Sequence, residues 1–171
     1  WTEDDSTRWI REAVGDDSVP IEILKILPWT MSATVANGFR AGRVFLTGDA
    51  VHQLPPTGGF GMNSGVQDSH NLCWKLAAVL HGWAAPSLLD TYESERRKVA
   101  QGNAKWSLSN FMAVQKVTRA AMSGNPDEAS AAVEQAHHYG NWMGNEFGFF
   151  YDSAAVIPDG TEPPVVDNPA E

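Results

Sequence analysis

Asp49 follows a glycine at the end of a short apolar run, Val44-Phe45-Leu46. Beyond it lie a Pro/Gly-dense loop (Pro55, Pro56, Gly58, Gly59, Gly61) and an unbroken helical pattern from about Asn63 to His81. A carboxylate at the end of a strand can accept hydrogen bonds from ligand hydroxyls. Glycines let backbone approach closely, and the first N–H groups of a helix favour a negatively polarised ligand atom. The order acid, glycine loop, helix start therefore suits one polar ligand that is hydroxylated at one point and electron-rich at another. A Gly-Asp pair alone would be turn chemistry.

The other chemically capable side chains carry less. His52 is the titratable group nearest Asp49 in the chain. Cys73 is the single cysteine, so no internal disulfide can form; its place in an apolar helix reads as that of a small core residue. His137 and His138 are adjacent on a helical pattern and face different ways, so no metal site is expected there.

Two kinds of element must position these residues. Residues 3–14 read as an amphipathic helix with acids at its start, ended by Gly15-Asp16-Asp17. Ile21 to Leu27 alternates in part and predicts a strand, which Met31 to Val35 extends or pairs with; Asn37-Gly38 is a turn signal. After the glycine loop the period changes from 2 to 3.6, so the chain is expected to be almost wholly helical to about Phe147. Gly82 reads as a C-cap, and Ser87 with Asp90 has capping-box spacing before a helix from Leu88 to Gln101. Residues 104–122 read as a further helix, with Leu108, Phe111, Met112, Gln115 and Thr118 at helical spacing. Asn125-Pro126-Asp127-Glu128 is a helix start. The stripe Ala129, Ala132, Val133, Ala136, Gly140, Met143, Phe147 is expected to be buried, with Phe149, Phe150 and Tyr151 packing at its end.

The run Arg43 to Lys75 resembles the second FAD-binding motif of the class A flavoprotein aromatic hydroxylases, the para-hydroxybenzoate, phenol and polyketide hydroxylase type. The residues that carry the resemblance are Gly48-Asp49-Ala50, His52, Pro56, Gly59-x-Gly61, Asn63 and the Asp68-Ser69-His70-Asn71-Leu72-Cys73-Trp74-Lys75-Leu76 helix. Leu88-Leu89-Asp90-x-Tyr92-Glu93-x-Glu95-Arg96-Arg97 and the segment Gly148 to Pro164 resemble later parts of the same family, and the charges of the former are expected to be helix-surface pairs. The resemblance implies an α/β fold: a fragment of a GR2-type Rossmann-like FAD-binding domain, preceded by the end of a substrate-domain β-sheet and followed by a mostly helical C-terminal half. It implies residues 1–42 in the middle domain, 43–150 in the FAD-binding domain and its helices, and 151–171 as a linker towards a further domain.

It also implies the roles. Asp49, after Gly48, binds the ribityl chain of FAD. Pro56 sits over the flavin ring, Gly59 and Gly61 shape the loop, and Met62 and Asn63 offer backbone N–H groups to the pyrimidine end. NADH or NADPH reduces the flavin, O2 is captured as a flavin hydroperoxide, and a phenolic substrate is hydroxylated. No catalytic base is placed. Phe60 stands where the para-hydroxybenzoate type carries a lysine, which leaves the helix start to stabilise charge at the flavin's edge. Halogenases and reductases of the same fold stay open as alternatives, as does a non-catalytic helical interaction fragment.

Composition bounds the partners. Residues 1–119 hold all 12 basic and 12 of the 21 acidic side chains, so the whole excess of −9 lies in the C-terminal part. This argues against nucleic acid as a partner. No apolar run approaches the roughly 20 residues of a membrane span, no signal peptide is visible, and a cytoplasmic setting is expected. Both ends, Trp1 and the Pro-rich stretch Pro158 to Pro169, read as cuts through a longer polypeptide. The Gly-x-Gly-x-x-Gly fingerprint for the ADP part of FAD does not occur, so the other half of the enzyme is expected to supply it. A homodimer is left open.

Overall fold

Thr2 caps the first helix, α1 (Glu3–Val14), through a reciprocal bond with Asp5, and Gly15 closes it by donating to the Arg11 carbonyl. The computed structural model describes residues 2–136, 139 and 148–162. The described chain divides into two compact units, Trp1–Thr30 and Met31–Glu171. In the first, α1 buries none of its residues, and residues 21–30 form no strand. The expected strand Ile21–Leu27 is therefore corrected. Ile21 and Ile23 are half-buried while Glu22 and Leu24 are exposed, so the alternation survives. A strand also needs a neighbour for its N–H and C=O groups, and none of the described residues pairs with it. Met31 to Val35 likewise does not pair with it.

The second unit opens with two small antiparallel pairs. β1 (Thr34–Val35) pairs with β4 (His52–Gln53), and β2 (Arg40–Ala41) pairs with β3 (Val44–Phe45). Residues 31–41 are thus built together with the segment from Val44 to Gln53. Between β3 and β4 the chain makes a single 3-10 turn, Gly48–Ala50. Phe39, Val51, Leu72, Tyr92 and Ala100 form the buried apolar cluster beneath these pairs.

From residue 60 to residue 135 the unit is helical apart from short connections: α2 (Phe60–Leu80), a 3-10 turn at Pro86–Asp90, α3 (Thr91–Met122) and α4 (Pro126–Gln135). The change of period at the glycine loop holds, with no strand among the described residues from 60 to 136. Three details differ from expectation. α2 starts at Phe60 rather than Asn63, because Gly59 already serves as its N-cap. Ser87 and Asp90 form no capping box, since the preceding turn has Ala85 as its N-cap and Asp90 makes no side-chain cap bond. The two helices expected on either side of Gly102 are one helix of 32 residues. An interior glycine costs about 1 kcal/mol, and burial of Val99, Ala100, Asn103 and Trp106 around it outweighs that.

The buried face of α3 also differs: Asn103, Trp106, Ser107 and Asn110 point inward, while Leu108 and Met112 are exposed. α4 begins as the sequence predicts, with the Asn125 side chain accepting from the Asp127 and Glu128 amides. Of its expected stripe, Ala132 is buried and Val133 exposed. His137, His138, Gly140, Met143 and Phe147 lie outside the described residues. Cys73 is exposed and not a core residue, because α2 turns Ser64, Asp68, Asn71, Leu72, Lys75 and Ala78 inward instead.

Candidate functional site

The turn that carries Asp49 rests directly on α2. Gly48 has φ 57°, and a Cβ placed on Gly65 would come within 3.3 Å of the Gly48 Cα. The left-handed backbone at one residue and the missing side chain at the other together permit this approach. Asp49 itself is exposed, at the rim of the turn.

The loop after β4 leads into the start of α2. Pro55 is buried and Pro56 exposed, and the Thr57 hydroxyl anchors the loop by donating to the Ser107 carbonyl at 2.6 Å. At Gly58, φ is 98° and a Cβ would stand 2.4 Å from the Phe60 ring, so only glycine fits. The Gly59 amide donates to the Pro56 carbonyl. Helix geometry then leaves the Phe60, Gly61 and Met62 N–H groups without intrahelical acceptors. Asn63 lies one position further in, and its side-chain amide donates to the Gly59 carbonyl at 3.0 Å. Met62 and Asn63 are exposed and Gly61 half-buried. The structure thus brings Gly48 and Asp49 against α2 just after its free amides. Pro56 and Gly59 stand at the exposed edge of the same loop.

Sequence reasoning missed what lies behind this surface. Glu95 and Arg96, read as helix-surface charges, are buried, as are His52, Asp68, Asn71 and Lys75. Asp68 Oδ2 accepts from the Gly48 amide at 3.3 Å and lies 2.7 Å from His52 Nε2. Its Oδ1 accepts from Arg96 Nε at 2.7 Å. Burial pushes the Asp68 carboxyl upward, but the hydrogen bonds and charges of His52 and Arg96 outweigh it and hold the group below its ordinary value. Glu95 Oε2 accepts from Lys75 Nζ and Asn71 Nδ2, both at 2.6 Å, and its Oε1 accepts from the Ser153 hydroxyl at 2.7 Å. Burial again pushes upward, and Lys75, Asn71 and Ser153 bring Glu95 below its ordinary value. Glu93 and Arg97 do form the expected helix-surface pair, at 3.5 Å.

The signal that could have revealed this cluster was present. Asp68, Asn71 and Lys75 recur at i, i+3 and i+7, which places three polar groups on one helix face. Phe149 and Tyr151 of the aromatic run after α4 belong here too. Arg96 donates to the Tyr151 hydroxyl at 3.0 Å, and the Phe149 ring lies 5.8 Å from its guanidinium. A surface hollow lined by Arg40, Asp90, Glu93, Arg97 and Lys98 includes none of these residues; there Arg40 pairs with Asp90 and Glu93 with Arg97.

Among the described residues no helix is long and apolar enough to cross a membrane, and no cluster of metal-ligating side chains occurs. Residues 1–107 match the FAD binding domain family. A 4-methyl-5-nitrocatechol 5-monooxygenase of a Burkholderia species is 38% identical over 93% of this chain and 27% of its own length. A tetracenomycin B2 monooxygenase-dioxygenase of Streptomyces olivaceus is 53% identical over 53% of this chain and 17% of its own. The crystal structure of the flavin-dependent monooxygenase PieE, in complex with FAD and substrate, superposes with a TM-score of 0.79 at 34% identity. That alignment covers 98% of this chain and 33% of PieE. The chain therefore spans about a third or less of each of these proteins. It belongs to the FAD binding domain family.

Proposed function

We infer that this member of the FAD binding domain family is part of an FAD-dependent monooxygenase that hydroxylates a phenolic ring with O2 and NADH or NADPH. The observation that carries this reading is the Gly48–Asp49 turn pressed onto α2 beside three amides with no acceptor in the helix. Those residues fit a flavin: an exposed carboxylate for ribityl hydroxyls, and a helix start for the ring edge on which negative charge would develop on reduction. In this assignment Gly48 lets the turn approach, Asp49 takes the ribityl chain, and Pro56 with Gly59 borders the ring. Gly61 and Met62 face the pyrimidine end with free amides. Asn63 braces the loop through Gly59.

When bound, FAD supplies electron transfer and oxygen activation. The chain's own contribution is binding, orientation and charge stabilisation by fixed dipoles. Within the larger enzyme, residues from Val44 onward would form the second half of a Rossmann-like FAD domain of the GR2 type, and residues 151–171 would lead towards a further domain. The relatives named for nitrocatechol and tetracenomycin chemistry support an aromatic substrate.

The test uses the full-length protein. It should purify yellow and consume NAD(P)H and O2 in a phenol-dependent manner, releasing a hydroxylated ring and water. Asp49→Ala should raise the Kd for FAD tenfold or more, since a charge-assisted hydrogen bond contributes about 1.5–3 kcal/mol. Unchanged affinity would remove Asp49 from the site, and a protein that binds no flavin would overturn the reading.

A further inference from the structure

We propose that Asp68 is a positioning residue for the flavin-contacting turn, and that Tyr151 acts on the same turn through Arg96. This rests on the flavoenzyme reading above and extends it to residues that touch no cofactor. The buried Asp68 carboxylate binds the amide of Gly48 and the ring of His52, which bracket Asp49 in the chain. Both flanks of the Asp49 turn are therefore held by one side-chain group. The other carboxylate oxygen is held by Arg96 of α3, so the turn takes its place from two helices at once.

Arg96 is itself shared. Beyond Asp68 it donates to Gln67 Oε1 at 3.1 Å and to the Tyr151 hydroxyl at 3.0 Å. The neighbouring Glu95 accepts from Ser153. The segment read from sequence as the start of a linker is thus seated on the two side chains behind the cofactor turn. A shift of that segment would move the Arg96 guanidinium, and with it the carboxylate that fixes Gly48 and His52. An apolar replacement of such a buried charged cluster is often neutral for stability; what the charges add here is a fixed direction for each hydrogen bond.

The geometry makes Asp68→Asn a sharp test. An asparagine amide has one acceptor and one donor end. If its oxygen faces Arg96, its NH2 meets the Gly48 N–H. If its oxygen faces Gly48, its NH2 meets the Arg96 Nε–H. Neither of those donors can become an acceptor, so one bond is lost in either orientation.

In the full-length flavoprotein, Asp68→Asn should raise the FAD Kd by about tenfold or more and shift the bound flavin's absorption bands. Tyr151→Phe, linked to the turn through Arg96 and Asp68, should move both readouts in the same direction by a smaller factor. A purely structural role would lower the unfolding temperature and leave Kd and spectrum of the folded fraction unchanged, which would overturn the proposal. If Asp68→Asn fails to fold, Tyr151→Phe decides: unchanged Kd and spectrum overturn the proposal, and a shift in both supports it. Wild-type protein that takes up no FAD would instead sink the flavoenzyme reading, and this inference with it.

Discussion

Glu95→Gln should be among the most destabilising single substitutions in this chain, although it changes one atom. The Lys75 and Glu95 side chains are 0% and 3% exposed and their charged atoms lie 2.6 Å apart. Burial draws the Lys75 amine below its usual value, and the bond to Glu95 offsets this only in part. Removing the carboxylate charge leaves an ammonium group buried without its counter-ion, a change that costs about 3–5 kcal/mol in proteins generally. Glutamine keeps an oxygen for Lys75 or Asn71, so the lower end, about 3 kcal/mol, is expected. Lys75→Met should cost less, because Asn71 and Ser153 still donate to the carboxylate. The double variant should fall short of the sum of the two by at least about 1 kcal/mol, as for groups in direct contact. Urea unfolding of the purified wild type and three variants closes the cycle. A Glu95→Gln cost below about 1 kcal/mol, or strict additivity, would refute the claim that these two charges depend on one another.

Further outcomes concern the loop and the titrating groups. Gly58→Ala should cost about 1–3 kcal/mol, the scale of local backbone strain, because its φ is 98° and its Cβ would overlap the Phe60 ring; Gly61→Ala, which meets nothing within 4 Å, should cost none, and urea midpoints compare them. Asp68 and Glu95 both lie below their ordinary values, so their contribution is present above about pH 4 and is lost as pH falls through the folded-state values. Acid titration by circular dichroism should show a steep limb that Glu95→Gln makes shallower. Tyr92 is pushed up to about 12 by burial and by the nearby Asp68 charge, against the opposing pull of Thr47 and Arg96. Its contribution is therefore complete below about pH 10 and lost as pH rises towards 12. Tyr92→Phe should flatten that alkaline limb.

The parts of the fold legible in the sequence are those whose signals are local. Gly15 ends α1 and Asn125-Pro126 starts α4, because caps and turns are decided by a residue and its immediate neighbours. The placement of Asp49 at a turn before a helix start was legible for the same reason. Ile21–Leu27 was not, since alternation states which side chains share a face and not whether another strand is present to pair with. Gly102 misled in the opposite sense. Its local preference for a break was overridden by the burial of side chains one turn away on either side.

The charged cluster was hidden by a rule that usually serves well, that acids and bases on a helix face water. On α2 the rule is inverted: Asp68, Asn71 and Lys75 face inward while Met62, Val66 and Leu80 are exposed at 79%, 63% and 81%. Burial of its apolar residues, Phe60, Leu72 and Ala78 among them, accounts for only part of that inner face. The charged part is matched, group by group, to Glu95 and Arg96 on α3. These are consecutive residues, and each reaches a different carboxylate or amine on α2. Hydrophobic packing alone would tolerate small sliding of α2 along α3. The two ion pairs lie on Asp68 and Lys75, seven residues apart on one helix, and a slide would stretch both. Because Gly48 and His52 hang on the first of these pairs, the register of two helices becomes the position of the turn that carries Asp49.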